Sequence, residues 1–209
     1  MHALILVDLQ IDFAPGGALA VPEGDQVVPV ANKLMPAFDL VVATKDWHPL
    51  DHGSFANNHP GKNEGEVTEL KGLEQVLWPV HCVENTEGAE FIPGLDSEKI
   101  DHVIHKGTEP DLDAYSGFYD NAHRQATGLN HYLKEKGANK LYIMGLASDY
   151  CLKFTVIDGC KEGYDITVVT DGCRGIDMNE GDVDRAFEDM KKAGAKMMTS
   201  DEVLKQRKG

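Results

Sequence analysis

The alternation of short apolar runs with longer amphipathic segments is the feature that most constrains the fold of this chain. Short runs rich in β-branched residues are typical of strands buried on both faces, and apolar residues at helical spacing are typical of amphipathic helices. The runs lie at 2–7, 40–43, 102–105, 141–145, 166–170 and 196–199, and the helical patterns at about 25–37, 121–136, 149–162 and 182–192. This order predicts a doubly wound α/β fold, with a six-stranded, mainly parallel sheet and helices on both faces, in a single domain over residues 1–209.

One stretch, about 47–100, interrupts the alternation. It is rich in Gly, Pro, Asn and His, and only 70–76 carries a weak helical pattern. An insertion of this length with little regular structure is usually either functional or disordered. Its two tryptophans and four histidines, several of them beside apolar residues, favour an ordered, functional insertion.

The charge of the chain argues against two classes of partner. The formal net charge is −15 and the sequence pI is about 4.9. Nucleic acids and anionic membranes are bound by clustered Lys and Arg, so we expect no nucleic-acid and no membrane partner. The sequence has no run of about 18 apolar residues, and its N-terminus lacks the basic region of a signal peptide. These features predict a cytoplasmic protein.

Three ionisable side chains follow three different predicted strands. Asp8 follows the first strand, Lys106 the third, and Cys151 lies one turn into the helix after the fourth. Alone, each has an ordinary interpretation as a helix cap, a surface lysine or a core cysteine. Since the carboxyl ends of parallel strands meet at one edge, the three together predict an activated nucleophile. A cysteine at a helix N-terminus near a lysine is expected to have a lowered pKa, and a carboxylate can accept its proton.

The residues before the cysteine also carry a prediction. Ser148 and Asp149 have the side chains that commonly form a turn and an N-cap, and they are expected to open the helix that begins near Cys151. The remaining cysteines form no CxxC pair, so the sequence suggests neither a disulfide framework nor a zinc ribbon.

A group of possible metal ligands lies in the insertion. Asp46 and His48 are two residues apart, so in an extended segment they point to the same side. His52 follows closely, and His81 lies beside the stiff Trp78–Pro79 step. One carboxylate with two or three imidazoles suits Zn²⁺, Fe²⁺ or Mn²⁺. We therefore expect one divalent ion per chain, with Zn²⁺ as the first candidate; the motif alone does not choose among the three ions.

Taken together, these motifs resemble the nicotinamidase (pyrazinamidase) branch of the isochorismatase-like cysteine hydrolase superfamily. The similarity runs in the order of that family over about residues 2–199. The matching segments are VDLQIDFAPGGALAVPEGD (7–25), KDWHPLDHGSF (45–55), WPVHCVENTEGAEF (78–91), VIHKG (103–107), DAYSGFYDN (113–121), MGLASDYCLKFTVIDG (144–159) and VVTDGCRG (168–175).

The resemblance implies a role for each candidate residue. In the implied triad Asp8 accepts a proton, Lys106 is the electrostatic partner and Cys151 is the nucleophile. The further implied residues are the metal ligands Asp46, His48 and His81 with His52 as a ligand or near-ligand, the oxyanion-hole N–H groups of Ala147 and Cys151 beside a cis Leu146–Ala147 peptide, and the aromatic substrate walls Phe13, Trp78 and Tyr115.

The implied reaction is the hydrolysis of nicotinamide to nicotinate and ammonia through a cysteine thioester, with pyrazinamide as a second expected substrate. One alternative is a related carbamoyl or ureido amidohydrolase, which would keep the triad but has no need of the metal-ligand cluster. Another is a non-catalytic metal- or redox-binding module. The sequence leaves the oligomeric state open, although homo-oligomers are common among soluble enzymes.

Overall fold

A sheet of six parallel strands forms the centre of the computed structural model, which describes residues 1–208. Numbered along the chain, the strands are β1 His2–Val7, β2 Leu40–Asp46, β3 Val67–Leu70, β4 Leu73–Val76, β5 His102–Lys106, β6 Lys140–Gly145, β7 Asp165–Cys173 and β8 Lys196–Met198. The large sheet has the order β5-β2-β1-β6-β7-β8, with every neighbouring pair parallel. The predicted fold class is confirmed.

Helices cover both faces of this sheet. They are α1 Val27–Leu34, α2 Leu129–Glu135, α3 Cys151–Lys161, α4 Asp182–Lys192 and α5 Ser200–Lys208. Helices α1 and α3 each contact β6 and β7, while α5 packs beside α1 and α4 beside α3. All seven residues of β2 and five of the six in β1 are buried, as expected for strands covered on both sides. Over the described residues, no helix has the length and apolar character needed to span a bilayer.

The topology creates a crevice between β1 and β6. From β1 the chain builds outward through β2 to β5, then returns to the other side of β1 and builds outward again from β6 to β8. The order of strands therefore reverses between β1 and β6. In open α/β sheets, ligands bind at such a switch point, outside the carboxyl ends of the strands.

The expected weak helix at 70–76 is wrong, because this segment belongs to a β-hairpin. Strands β3 and β4 are antiparallel, with Leu70 opposite Leu73. The two residues between them, Lys71 and Gly72, have φ of 52° and 84°. Positive φ at both central positions is the signature of the two-residue turns that suit hairpins, and it closes the strand pair here.

The helix expected at 121–136 is shorter than the pattern predicts. Only Leu129–Glu135 is helical, preceded by Gly128 at a φ of 101°. Upstream, the Asp120 carboxylate accepts hydrogen bonds from the backbone N–H groups of Ala122, Arg124 and Gln125. An acidic side chain that satisfies successive backbone donors competes with helix formation, which explains the irregular segment.

The C-terminal helix α5 was not predicted from the sequence. It begins at Ser200, whose backbone N–H and hydroxyl donate to the two carboxylate oxygens of Asp171 at 2.7 and 2.6 Å. Asp171, which lies in β7, thus holds the start of α5.

Candidate active site

Lys106 lies at the centre of the side chains that the strand ends bring together. It is the last residue of β5, and its exposed fraction is 2%. Its ammonium lies 2.9 Å from Asp8 Oδ2 and 3.3 Å from Cys151 Sγ, and it also donates to Asp46 Oδ1. The carbonyl of Ala114 accepts a further hydrogen bond at 3.1 Å. Two carboxylates hold the pKa of Lys106 well above its usual value despite burial, so the lysine is a fixed cation.

Asp8 follows β1 in a left-handed conformation, with φ of 53°. Its Oδ1 accepts a hydrogen bond from the Thr44 hydroxyl at 2.5 Å, and its Oδ2 faces the ammonium of Lys106. Burial raises the pKa of Asp8 to about 6, although Lys106 opposes the shift. A carboxyl with this pKa is a better proton acceptor than a solvated aspartate and is still mostly ionised at neutral pH.

The expectation of a lowered pKa at Cys151 is wrong. Burial raises the pKa of its thiol well above the usual value, and the neighbouring carboxylates Asp46 and Asp8 raise it further, while Lys106 acts in the opposite direction. The position at the start of α3 does not compensate for this environment. The resting side chain is therefore a thiol, and it would need a base to act as a nucleophile. Carboxylate oxygens of Asp8 and Asp46 lie within 4.8 Å of the sulfur.

The expected N-cap before Cys151 is also wrong. Helix α3 has no side-chain cap, and Asp149 instead accepts the backbone N–H groups of Ile176 and Asp177 at 3.0 and 2.8 Å. Asp149 therefore connects the segment after β7 to the turn that precedes Cys151. The hydroxyl of Ser148 is buried without a hydrogen-bond partner among the described residues.

Two backbone N–H groups, those of Ala147 and Cys151 itself, belong to residues that line the same cavity. The Leu146–Ala147 peptide is cis, as expected from the family resemblance. Across residues 1–208, neither the N–H of Ala147 nor that of Cys151 donates to a protein acceptor. Both residues are nearly fully buried. Unpaired, buried donors beside a nucleophile are what an oxyanion hole requires.

Asp46, His48 and His81 form a buried set whose ligand atoms converge. The Nε2 atoms of His48 and His81 lie 3.8 and 4.0 Å from Asp46 Oδ2. Each ring uses its Nδ1 in a 2.8 Å hydrogen bond to a backbone carbonyl, that of Gly107 for His48 and that of Pro79 for His81. A carbonyl is only an acceptor, so each Nδ1 carries a hydrogen, and in the neutral ring, the form that binds a metal, each Nε2 presents a lone pair. These three residues fit a divalent ion of the zinc type.

Asp46 joins the two halves of the site. Its Oδ1 accepts from Lys106, while its Oδ2 faces the two imidazoles. Lys106, together with the neighbouring imidazoles, holds the pKa of Asp46 well below its usual value in spite of burial. One carboxylate therefore links the metal-ligand set to the lysine beside the nucleophile.

His52 lies next to this set, in a second group with His48 and Asp113. Its Nδ1 is 2.7 Å from the Ser54 hydroxyl and accepts the Ser54 backbone N–H at 3.2 Å. Its Nε2 is buried without a hydrogen-bond partner in the part of the chain that the structure describes. An Nδ1 that accepts from a backbone N–H leaves the hydrogen on Nε2, which suits a donor to a bound group better than a direct ligand.

Aromatic side chains enclose a small cavity between the nucleophile and the metal-ligand set. The expected walls Phe13, Trp78 and Tyr115 all line it, together with Cys151 and Ala147. Its volume of about 20 Å³ accommodates roughly one water molecule.

Sequence reasoning missed several residues of this cavity. They are Leu19, Asp113, Tyr150 and Ile176. The ring of Tyr150 packs edge-on against Trp78, with centroids 4.8 Å apart. Its position directly before Cys151 was a usable signal, because the residue before a nucleophile at a helix start is held close to it. Leu19 and Ile176 come from loops, and nothing local in the sequence directs them to the site.

Comparisons with known proteins agree with this geometry. The isochorismatase domain family matches residues 2–202. A nicotinamidase of Escherichia coli (strain K12) is 49% identical over 202 residues, covering 95% of this chain and 94% of that protein. A solved nicotinamidase/pyrazinamidase of Acinetobacter baumanii has a TM-score of 0.94 and 42% identity, over 97% of both chains. A pyrazinamidase of Pyrococcus horikoshii, solved in complex with zinc, has a TM-score of 0.77 and 40% identity, over 95% of this chain and 98% of that one. The chain belongs to the isochorismatase family.

Proposed function

We propose that this chain hydrolyses nicotinamide to nicotinate and ammonia through a thioester on Cys151, and that it also accepts pyrazinamide. The observation that carries the proposal is the buried ion-pair group in which Lys106 contacts Asp8, Asp46 and Cys151 at once. Asp46 connects this nucleophilic group to a metal-ligand set, and aromatic side chains line the cavity between them. The similarity to nicotinamidases over nearly the whole chain supports nicotinamide as the substrate.

In the first half of the reaction, Asp8 takes the proton from the Cys151 thiol. The negative charge moves from the carboxylate to the sulfur, but it stays beside the ammonium of Lys106, which stabilises both states. The thiolate then attacks the carboxamide carbon. The backbone N–H groups of Ala147 and Cys151 stabilise the oxyanion, and the proton held by Asp8 passes to the departing ammonia.

In the second half, water hydrolyses the thioester. Asp8, ionised again after ammonia leaves, accepts a proton from the attacking water. The carboxylic acid leaves as the tetrahedral adduct collapses, the proton held by Asp8 returns to the sulfur of Cys151, and the released acid loses its own proton to solvent as nicotinate. One carboxyl group therefore serves as base and acid in turn, for which a pKa of about 6 is well placed.

Asp46, His48 and His81 would hold the divalent ion, with His52 as a neighbouring donor. Zinc is the ion we propose, because this donor set suits it and because a related pyrazinamidase was solved with zinc. When bound, such an ion supplies a Lewis acid for the pyridine nitrogen or for a water molecule. A carbamoyl or ureido amidohydrolase has no need of this ligand set, so the set favours the nicotinamidase proposal over that alternative.

The direct test is ammonia release from nicotinamide by the purified protein, together with metal analysis. We expect stoichiometric release of ammonia and nicotinate and about one divalent ion per chain. Carbamoyl and ureido compounds serve as comparison substrates in the same assay. Release from a ureido compound, without release from nicotinamide and without bound metal, would support the alternative hydrolase. No release from any amide would support a non-catalytic role.

Replacing Gly107 by alanine is expected to weaken metal retention by about 10-fold or more. Gly107 has a φ of 64°, and an added Cβ would lie 2.3 Å from Cε1 of His48. The same residue supplies the carbonyl that fixes the His48 ring. Loss of such an outer contact typically costs 10- to 100-fold in metal affinity, so about 10-fold is a lower bound. Competition with a zinc chelator measures the change.

Gly94→Ala is the matched control for this substitution. Gly94 also has a positive φ, of 90°, but no atom lies within 4 Å of the position of an added Cβ. It shares the backbone strain without the contact to a ligand. Equal metal affinity in the two variants would contradict the role of Gly107 in holding His48.

A further inference from the structure

Gln75 is a buried polar residue in a hairpin that is otherwise largely exposed. It lies in β4, and its exposed fraction is 3%. The facing strand β3 alternates between exposed and half-buried residues, and Val67 in that strand is 52% exposed. A buried amide needs hydrogen-bond partners, so the contacts of Gln75 identify the residues to which the hairpin is attached.

The side-chain amide of Gln75 reaches two residues of the cavity wall. Its Nε2 donates to Asp113 Oδ2 at 3.0 Å and to the Tyr115 hydroxyl at 3.1 Å, and it lies 2.9 Å from the carbonyl of Val76. The Asp113 carboxylate and the Val76 carbonyl are acceptors only. The atom that faces them must therefore be the NH₂ group, which fixes the orientation of the amide.

The same contacts extend to a third wall residue. The indole Nε1 of Trp78 donates to the Tyr115 hydroxyl at 3.1 Å, so this hydroxyl receives two N–H groups. Asp113, Tyr115 and Trp78 all line the cavity that contains Cys151. Gln75 does not line that cavity, yet its amide contacts two of the three directly and the third through the shared hydroxyl.

We infer that Gln75 is a positioning residue that holds the Tyr115–Trp78 wall and the Asp113 carboxylate, and so restricts the cavity to a flat six-membered aromatic ring without ring substituents. The inference rests on the proposed function. Without the amide, Asp113 Oδ2 loses its side-chain donor and the Tyr115 hydroxyl keeps only the Trp78 contact. The wall is then free to adopt other positions, which weakens the fit to a flat ring. It also leaves room for a ring substituent.

The test replaces Gln75 by methionine, which has a similar length and volume but no N–H donor. We expect KM for nicotinamide to rise about 10-fold or more while kcat changes by less than about threefold, because the reacting groups stay in place. We also expect the preference for nicotinamide over a ring-methylated nicotinamide, measured as the ratio of their kcat/KM values, to fall by about 10-fold. A pocket typically discriminates by about this factor or more between two substrates that differ by one methyl group. Glu74→Met, at the exposed neighbouring position in β4, is the matched control and should leave these constants within twofold.

A binding measurement adds a readout that does not depend on turnover. The chain has two tryptophans, so in a Trp47→Phe background Trp78 alone reports on the wall. Titration with nicotinate should show a Kd about 10-fold higher when Gln75→Met is added. Unchanged KM and Kd would overturn the inference. A lower kcat with KM unchanged would also overturn it, because that result indicates only a smaller fraction of folded protein. A wild-type protein that releases no ammonia would instead overturn the proposed function.

Discussion

Cys151→Ala is expected to lower ammonia release from nicotinamide by at least about 10⁴-fold. The substitution removes the only atom that forms a covalent bond to the substrate in the proposed mechanism, and loss of a nucleophile of this kind commonly costs this much or more. Cys151 is nearly fully buried, and alanine fits the space that it leaves without adding a buried polar group. Initial-rate measurement of ammonia, with a matching assay of nicotinate, gives the rate ratio.

Cys160→Ala is the matched control, because Cys160 lies on the same helix and is half-buried, but outside the cavity. We expect its rate to stay close to that of the wild type. Peptide mass analysis after rapid acid quenching of the wild type should find the nicotinoyl group on the peptide that contains Cys151. A Cys151→Ala protein that is folded and keeps more than about a tenth of the wild-type rate would contradict the covalent mechanism.

The position of the site could be predicted from the sequence because strand ends fix it. Asp8 and Lys106 each stand at the end of an apolar run, and in a parallel sheet those ends share one edge. The Asp46-x-His48 spacing is informative for a similar reason, because two residues that are two positions apart in an extended segment point to the same side. Predictions of this kind depend on the periodicity of strands, which the sequence displays directly.

The chemistry of Cys151 could not be predicted in the same way. Its position near a lysine and a helix start suggests a lowered pKa, whereas burial and two nearby carboxylates raise it. These opposing contributions come from residues far apart in the chain, and only the fold shows which one dominates. The outcome changes the proposed mechanism, in which a resting thiol requires Asp8 as its base.

The supporting contacts of the site were beyond sequence reasoning for a related reason. Thr44 holds Asp8, and Gln75 holds Tyr115, each through a single hydrogen bond between distant segments. Gln75 also lies in the stretch for which the sequence predicts a helix, where the structure has a hairpin. A short segment with a mixed pattern does not determine its own secondary structure, and the partners of its side chains follow only once that structure is known.

Lys106→Met is expected to destabilise the protein by about 3–5 kcal/mol and to abolish activity. The ammonium is completely buried and is the shared cation of Asp8 and Asp46. Removing it leaves two carboxylates facing each other in a buried site, and breaking a buried ion pair from one side typically costs this much. Urea denaturation measures the change in the free energy of unfolding, and the ammonia assay measures the activity.

A second substitution separates the two effects. In Lys106→Met/Asp8→Asn one of the unpaired carboxylates becomes a neutral amide of the same shape, so part of the lost stability should return. We expect the double variant to be more stable than Lys106→Met alone by at least about 1 kcal/mol, as removal of an unpaired buried charge predicts. Activity should not return, because the proton acceptor and the cation beside the sulfur are both gone. The single variant Asp8→Asn completes the comparison. If the double variant loses as much stability as Lys106→Met and Asp8→Asn lose together, Lys106 and Asp8 do not interact energetically. The buried ion-pair group would then not be the unit that activates Cys151.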